Sequence, residues 1–244
     1  MSKNAVINIY ILDQSALFQL SPRRLAANGR SWHSACFTEI VKFLAALFLL
    51  AFPILASADD FADQVIAEIN LARTAPQQYA RIVAERTAGY QGVEGPKVVD
   101  EAIRFLEKQR PLAPLAISPG IRSGALMHVI DMGPQGGRGH KGSDGSQPWD
   151  RINRFGHWIG HAGENIDYGK RDARGVVVRL IVDDSVRGRG HRKNFFNSSY
   201  RVAGAAVGPH AVYGNMCVID FAEGFVEAAG APVAIRATQA APGL

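Results

Sequence analysis

The chain has 244 residues, 47% of them apolar and 20% charged, which suits one globular domain with a buried core. The formal charge is +5, but residues 1–58 hold five basic against two acidic side chains, leaving the remainder at only +2. That is no strong argument for nucleic-acid binding, which usually calls for a concentrated basic face.

Lys42 is followed by an apolar run from Phe43 to Leu55 and then by Ala56-Ser57-Ala58. A basic residue, a short apolar stretch and an A-x-A site form the layout of a secretory signal. The run is short for a bilayer span, which leaves an uncleaved anchor as the competing reading. The expected division is a removable N-terminal extension over 1–58, a folded domain over 59–226 and a flexible tail over 227–244. Residues 1–40 make the leader unusually long, so translation is expected to start near Val41 from a non-AUG codon. Cleavage after Ala58 removes Cys36 and leaves Cys217 without a disulfide partner. Cys217 lies in an apolar run and is expected to be buried.

Asp59-Asp60 can cap a helix whose apolar face is Phe61, Val65, Ile66 and Ile69. Pro76 suits the first turn of a second helix, continued by Tyr79, Ile82 and Val83. Val99, Ile103 and Leu106 make a third stripe. Leu112 to Leu115, with Pro114 inside it, reads as an extended connector. Ser118-Pro119 reads as an N-cap followed by an N1 proline, with Ile121, Ala125, Val129 and Met132 behind it and Gly133-Pro134 as the stop. His128 lies near that stripe, where packing is the commoner role for histidine.

Residues 133–148 read as a long loop carrying His140. A short helix is expected near Pro148, with Trp149, Ile152 and Phe155. Glycines at 156, 160 and 163 bracket a second expected loop, with His157, His161 and Glu164 in it. Val176, Val177, Leu180 and Ile181 read as a helix, although the β-branched run argues against it. Asp183 and Asp184 fall at its C-terminal end, the unfavourable pole for a carboxylate, so a histidine or a cation is expected beside them. Val202–Val207 and Tyr213–Phe221 read as strands. The second carries Cys217, Ile219 and Phe221 on one face and Met216 and Val218 on the other. Strands apolar on both faces are covered on both sides, which makes the expected architecture a three-layer α/β/α sandwich.

Three glycine-flanked stretches carry the candidate chemistry. They are His140 within Gly139-His140-Lys141-Gly142-Ser143-Asp144-Gly145-Ser146, Glu164 within Gly163-Glu164-Asn165-Ile166, and His191 within Gly190-His191-Arg192-Lys193-Asn194. Two imidazoles and a carboxylate can hold a divalent ion such as zinc or move a proton. Their spacing matches no close metal-binding pair, and loop histidines also cap turns. Ser143 and Ser146 could act as nucleophiles beside a base, but Ser-Asp-Gly-Ser is equally ordinary turn chemistry. Arg187, Arg189, Arg192 and Lys193 form a basic cluster that could meet an anionic lipid, a cell-wall polymer or nucleic acid, a solvated basic loop being the commoner case.

Taken in order, these motifs resemble the CAP superfamily of cysteine-rich secretory proteins, antigen 5 and pathogenesis-related proteins, in its bacterial secreted form. The resemblance adds Ile69-Asn70-x-x-Arg73, Tyr200-Arg201-Val202-Ala203-Gly204 and Met216-Cys217-Val218-Ile219-Asp220-Phe221, and spans about residues 61–223. It implies an α/β/α sandwich with a cleft lined by two histidines and two acids, which binds a divalent metal such as zinc in some members. His140, Glu164 and His191 match three of the four positions. For the fourth, Asp184 stands where eukaryotic members carry a glutamate. The disulfides of those members have no counterpart here.

The resemblance implies an exported, monomeric protein, secreted or periplasmic, that meets the membrane only through its signal segment. Its cleft would bind a lipid, cell-wall or peptide ligand. The alternative is a metal-dependent hydrolase, with His140 and His191 on the metal and Glu164 or Asp184 handling water.

Overall fold

A computed structural model describes residues 60–169 and 171–229. The expected signal segment and start site, and the tail beyond residue 229, lie outside the described residues. The first described helix, α1, runs through residues 60–74. It is followed by α2 (Pro76–Arg86), α3 (Pro96–Lys108), β1 (Ala116–Ile117), α4 (Pro119–Met132), α5 (Pro148–Ile152), β2 (Gly156–Tyr168), α6 (Ala173–Val182), α7 (Gly190–Phe195), β3 (Val202–His210) and β4 (Gly214–Glu227).

The helix starts follow the sequence closely. Pro76, Pro96, Pro119 and Pro148 all open helices, where the missing N–H leaves nothing unsatisfied. The Ser118 side chain accepts from the Ile121 amide, as its N-cap position predicts. In α6, Val176, Val177 and Val178 are all buried together with Leu180, Ile181 and Val182. That burial overrides the weak helix propensity of a β-branched run, and Asp172 caps the start by accepting from the Gly175 amide at 2.8 Å.

The sheet has the order β1-β3-β4-β2. β1 runs parallel to β3, while β3 and β2 both run antiparallel to β4. The helices cover both faces. Val65, Ile69, Tyr79, Leu106, Val177 and Phe195 from α1, α2, α3, α6 and α7 pack with Cys217, Ile219 and Phe221 of β4. On the other face, Ala125 and Val129 of α4 pack with Ile166, Ala206, Met216 and Val218, and Ile121 and Ile152 pack with Ala222. The expected α/β/α sandwich and the two-faced β4 are both present. α4 lies directly on β3 at Gly204, where a Cβ would stand 2.2 Å from the Arg122 nitrogen.

The main departure is β2. Its glycines suggest a loop, yet it is a 13-residue strand paired along β4. A register shift between Ile159 and Ala162 absorbs Gly160, whose φ is 73°. β2 is the outer strand of this sheet, so its free side remains open to groups arriving from either layer.

Two motifs explain themselves as ties. Asn70 of α1 both donates to the Leu115 carbonyl at 3.0 Å and accepts from its amide at 2.7 Å. The buried Arg73 donates to the carbonyls of Ala113, Phe195, Asn197 and Tyr200. Desolvation, with Arg201 nearby, lowers its pKa to about 10.

Candidate functional site: two histidine–carboxylate pairs on an edge strand

His140 is held by β2. Its Nδ1 lies 2.7 Å from Oε1 of Glu164, whose side chain is buried while the imidazole is half exposed. The loop that carries His140 is fixed from three sides. His128 Nε2 donates to the Gly139 carbonyl at 2.8 Å, and the Gly139 amide donates to the Tyr168 hydroxyl at 2.9 Å. Arg151 Nη1 donates to the His140 carbonyl at 3.0 Å and to the Ser146 carbonyl at 3.2 Å. His128 is thus a buried prop for the loop, and burial lowers its pKa.

His191 is held by the opposite layer. Its Nδ1 lies 2.6 Å from Oδ1 of Asp183, and Oδ2 of Asp183 accepts from the amides of His191 at 3.0 Å and Arg192 at 3.3 Å. Asp183 ends α6 in the left-handed conformation, φ 58°. That turn swings its carboxylate onto the first amides of α7, so the charge at the unfavourable end of one helix satisfies the orphan donors of the next. The acid paired with the second histidine is therefore Asp183. Asp184 points elsewhere and accepts from the Tyr90 hydroxyl at 2.9 Å and the amides of Val93 at 2.7 Å and Glu94 at 3.0 Å.

The two pairs are joined through β2. Glu164 and Asn165 are consecutive, so their side chains leave opposite faces of the strand. Asn165 donates to the His191 carbonyl at 3.0 Å, and Asn194 donates to Asn165 Oδ1 at 2.8 Å and to the Glu164 carbonyl at 3.3 Å. Gly163 must lack a side chain, because a Cβ there would meet the Tyr200 hydroxyl at 2.4 Å. The Gly-Glu-Asn and Gly-His-Arg-x-Asn motifs are in this way parts of one hydrogen-bonded unit.

Two further members were not among the candidate residues read from the sequence. Arg151 of α5 is buried, and its Nη2 lies 2.6 Å from Glu164 Oε2. Asp220 of β4 is 0% exposed and is the cross-strand neighbour of Glu164. Among the described residues neither oxygen meets a donor in good hydrogen-bond geometry, and the carboxyl of Glu164 is the polar group close to it. Burial first, and then the negative charge of Glu164, raise its pKa well above the usual carboxylate range, against the opposing pull of Arg151. The cluster is thereby drawn toward neutrality, with Arg151 paired to Glu164 and burial favouring the protonated form of Asp220.

That assignment has a measurable sign. Asp220 ionises near pH 3.9 in the unfolded chain and only well above that when folded. Between the two values the folded state holds the extra proton, so this group makes stability fall as pH rises from about 4 until its folded pKa is passed. Asp220→Asn should remove that component. The urea midpoint of the variant, followed from pH 4 to pH 7, should decline less than that of the wild type. Parallel pH profiles would show that Asp220 ionises normally.

The serines are committed to turns. Ser143 bonds Asp131 through both its hydroxyl and its amide, and the Ser146 amide donates to Asp144. Among the described residues, neither His140 nor His191 is hydrogen-bonded to a serine or a cysteine. Cys217 is buried, and desolvation raises its pKa. His157 and His161 are exposed on β2 and join neither pair.

The donor set decides how a metal would fit. Glu164 has one oxygen on His140 and the other on Arg151, and Asp183 has one on His191 and the other on two amides. This leaves the two imidazole Nε2 atoms, one fewer than the three protein ligands of a catalytic zinc site. Among the described residues, no group of three or more His, Cys, Asp or Glu side chains is placed to hold a metal ion. The residues present do not fit a metal centre with three protein ligands.

Residues 66–221 match the family model described as the Cysteine-rich secretory protein family, CAP. No curated protein matches the sequence. Three solved structures are similar at low identity. An outer surface protein of Borrelia burgdorferi is 16% identical, with 52% of this chain and 86% of that one covered and a TM-score of 0.39. An extracellular protein containing an SCP domain from Bacillus anthracis is 23% identical, over 52% of this chain and 39% of that one, at 0.37. A cysteine-rich secretory protein from Staphylococcus aureus is 15% identical, over 55% and 40%, at 0.32. The matched span takes in the larger part of α1, His140, the buried Glu164, His191 and most of β4, and the chain belongs to the Cysteine-rich secretory protein (CAP) family.

Proposed function

We propose that this chain is an exported binding module that takes a lipid, cell-wall or peptide ligand at the open edge of β2, between His140 and His191. The observation that carries this reading is the pair of imidazoles, each anchored through Nδ1 by a buried carboxylate. A neutral ring held in this way keeps its proton on Nδ1 and offers the Nε2 lone pair outward, as an acceptor for a ligand hydroxyl or amide. With no hydroxyl or thiol nucleophile bonded to either ring among the described residues, the arrangement supports recognition over covalent catalysis. Export is supported by the Lys42–Ala58 leader pattern.

The test uses protein purified without an affinity tag. Solvent extraction and mass spectrometry should recover a retained ligand from the wild type and none from a His140→Ala/His191→Ala double variant that remains folded. Elemental analysis is run on the same samples. A stoichiometric divalent metal, lost in the double variant together with hydrolysis of a peptide substrate, would overturn this reading in favour of a metal-dependent hydrolase. Equal ligand recovery from both proteins would remove the edge of β2 as the site.

A further inference from the structure

The loop that brings in His140 also carries an arginine that neither histidine pair uses. Arg138 is exposed, and its guanidinium carbon lies 5.4 Å from the centroid of the Tyr213 ring and 5.9 Å from that of Tyr168. These two rings form a trio with His210, the three centroids standing 5.1, 5.2 and 5.4 Å apart. His210 Nε2 donates to the Gly137 carbonyl at 2.8 Å, and its Nδ1 accepts from the amides of Val212 and Tyr213 at 3.2 Å. The Gly139 amide donates to the Tyr168 hydroxyl at 2.9 Å. Both backbone neighbours of Arg138 are thus tied to rings of the trio, which fixes where its side chain starts and what it lies over.

Arg138 is paired with no acidic side chain among the described residues. A guanidinium resting over aromatic rings keeps its in-plane N–H groups free, and their fork matches the two oxygens of a carboxylate. Because the rings and the loop already hold the side chain, little further ordering is needed when such a ligand arrives.

The surroundings narrow the class of ligand. The carbonyl of Glu164 accepts from Asn194 at 3.3 Å and that of Tyr168 from Arg171 at 2.5 Å. Both point away from β4, so this part of the free edge has acceptors already taken where an added peptide strand would bond. Tyrosine and histidine rings offer apolar faces with polar rims, in contrast to the enclosed apolar lining that an acyl chain requires. A pyranose ring has the same dual character, with a C–H face and a rim of hydroxyls. Arg138 and His140 are two residues apart on the fixed loop, about 7 Å at most along the backbone, which is the scale of a single sugar unit.

We propose that the ligand taken at His140 is an acidic saccharide. Arg138 holds the carboxylate of one sugar unit through paired N–H groups, Tyr213, which is 37% exposed, packs against its C–H face, and His140 Nε2 accepts from a hydroxyl. The assignment rests on the reading of His140 as an outward acceptor, and it narrows the cell-wall class of ligand given above.

The test is calorimetric titration of the full chain with two acidic probes and their neutral counterparts. One pair is a glucuronic acid hexasaccharide and its carboxyl-reduced form, and the other is N-acetylmuramic acid and N-acetylglucosamine. The acidic member should bind at least about tenfold more tightly at low ionic strength, and added salt should shrink the difference. Arg138→Ala should abolish the preference while leaving the neutral sugars unaffected. Arg138→Lys keeps the charge but not the paired grip, and should restore only part of it. Arg138 is exposed, so both variants should fold. His140→Ala should weaken acidic and neutral sugars alike, and unchanged binding in that variant would overturn the reading of His140 on which this rests. The saccharide assignment is overturned if neither acidic probe is preferred, if the preference survives Arg138→Ala, or if the peptide acid N-acetyl-alanyl-glutamate binds as tightly as the sugar acids. Loss of a retained ligand from His140→Ala/His191→Ala without any preference for acidic sugars would leave the β2-edge site standing and refute this assignment alone.

Discussion

Replacing Glu164 with alanine is expected to cost about 3–5 kcal/mol of folding stability, because it leaves the buried guanidinium of Arg151 without its carboxylate. The side chains of both partners are almost fully enclosed, so water cannot take over the lost contact. Asp220 complicates the outcome in a useful way. In the wild type the charge of Glu164 disfavours ionisation of Asp220. Once Glu164 is gone, Asp220 can ionise and take its place beside Arg151, which holds the loss toward the lower end of that range. The two sites should therefore be non-additive. Asp220→Asn made in the Glu164→Ala background should cost more than Asp220→Asn in the wild type. An apolar Arg151→Met/Glu164→Leu double variant should be more stable than Glu164→Ala alone, since it removes the stranded charge. Urea unfolding of the five proteins at pH 7 measures these differences. A Glu164→Ala loss below about 1 kcal/mol, the range of an exposed ion pair, would show that Arg151 is solvated and that the cluster is not built as described.

The candidate site was only partly visible in the sequence, for physical reasons. His140, Glu164 and His191 stand in motifs whose order points to the family, so three positions could be named. Arg151 could not, because an arginine in a short helix is ordinarily solvated, and only the return of the 133–147 loop over α5 buries it. Asp220 did leave a signal. A carboxylate between Ile219 and Phe221, in a strand apolar on both faces, has to be buried, although nothing local identifies Glu164 as its neighbour. β2 was hidden by its own glycines. One of them serves a register shift and another makes room for Tyr200, and both needs arise from tertiary contacts. The helices were legible because their caps and apolar stripes are local features. The last turn of α6 was not, because the left-handed residue at Asp183 decides which of two adjacent aspartates faces His191.

That choice gives a second large effect. Asp183→Ala should cost about 3 kcal/mol, because it removes a buried carboxylate that accepts from one imidazole and two amides, and hydrogen bonds to charged groups are the stronger kind. It also places a residue that lacks the local side-chain hydrogen bonds of aspartate at φ 58°. Asp184→Ala, one residue away, should cost about 1 kcal/mol, because its side chain accepts from Tyr90, the 93–94 amides and, weakly, the Ser185 hydroxyl at the surface. Stability alone would not prove that Asp183 orients His191, so the ring itself has to be followed. Nitrogen-resolved NMR of the His191 imidazole should show the proton on Nδ1 in the wild type and in Asp184→Ala, and a mixture of tautomers in Asp183→Ala. Asp183→Asn separates the two roles. Its side chain tolerates the left-handed turn and can still accept from the α7 amides, so most of the stability should return, but a neutral amide attracts the Nδ1 proton less strongly than a carboxylate. If Asp183→Asn restores both stability and the Nδ1 proton, geometry alone orients the ring. If it restores only stability, the charge of Asp183 is what turns Nε2 of His191 outward as an acceptor.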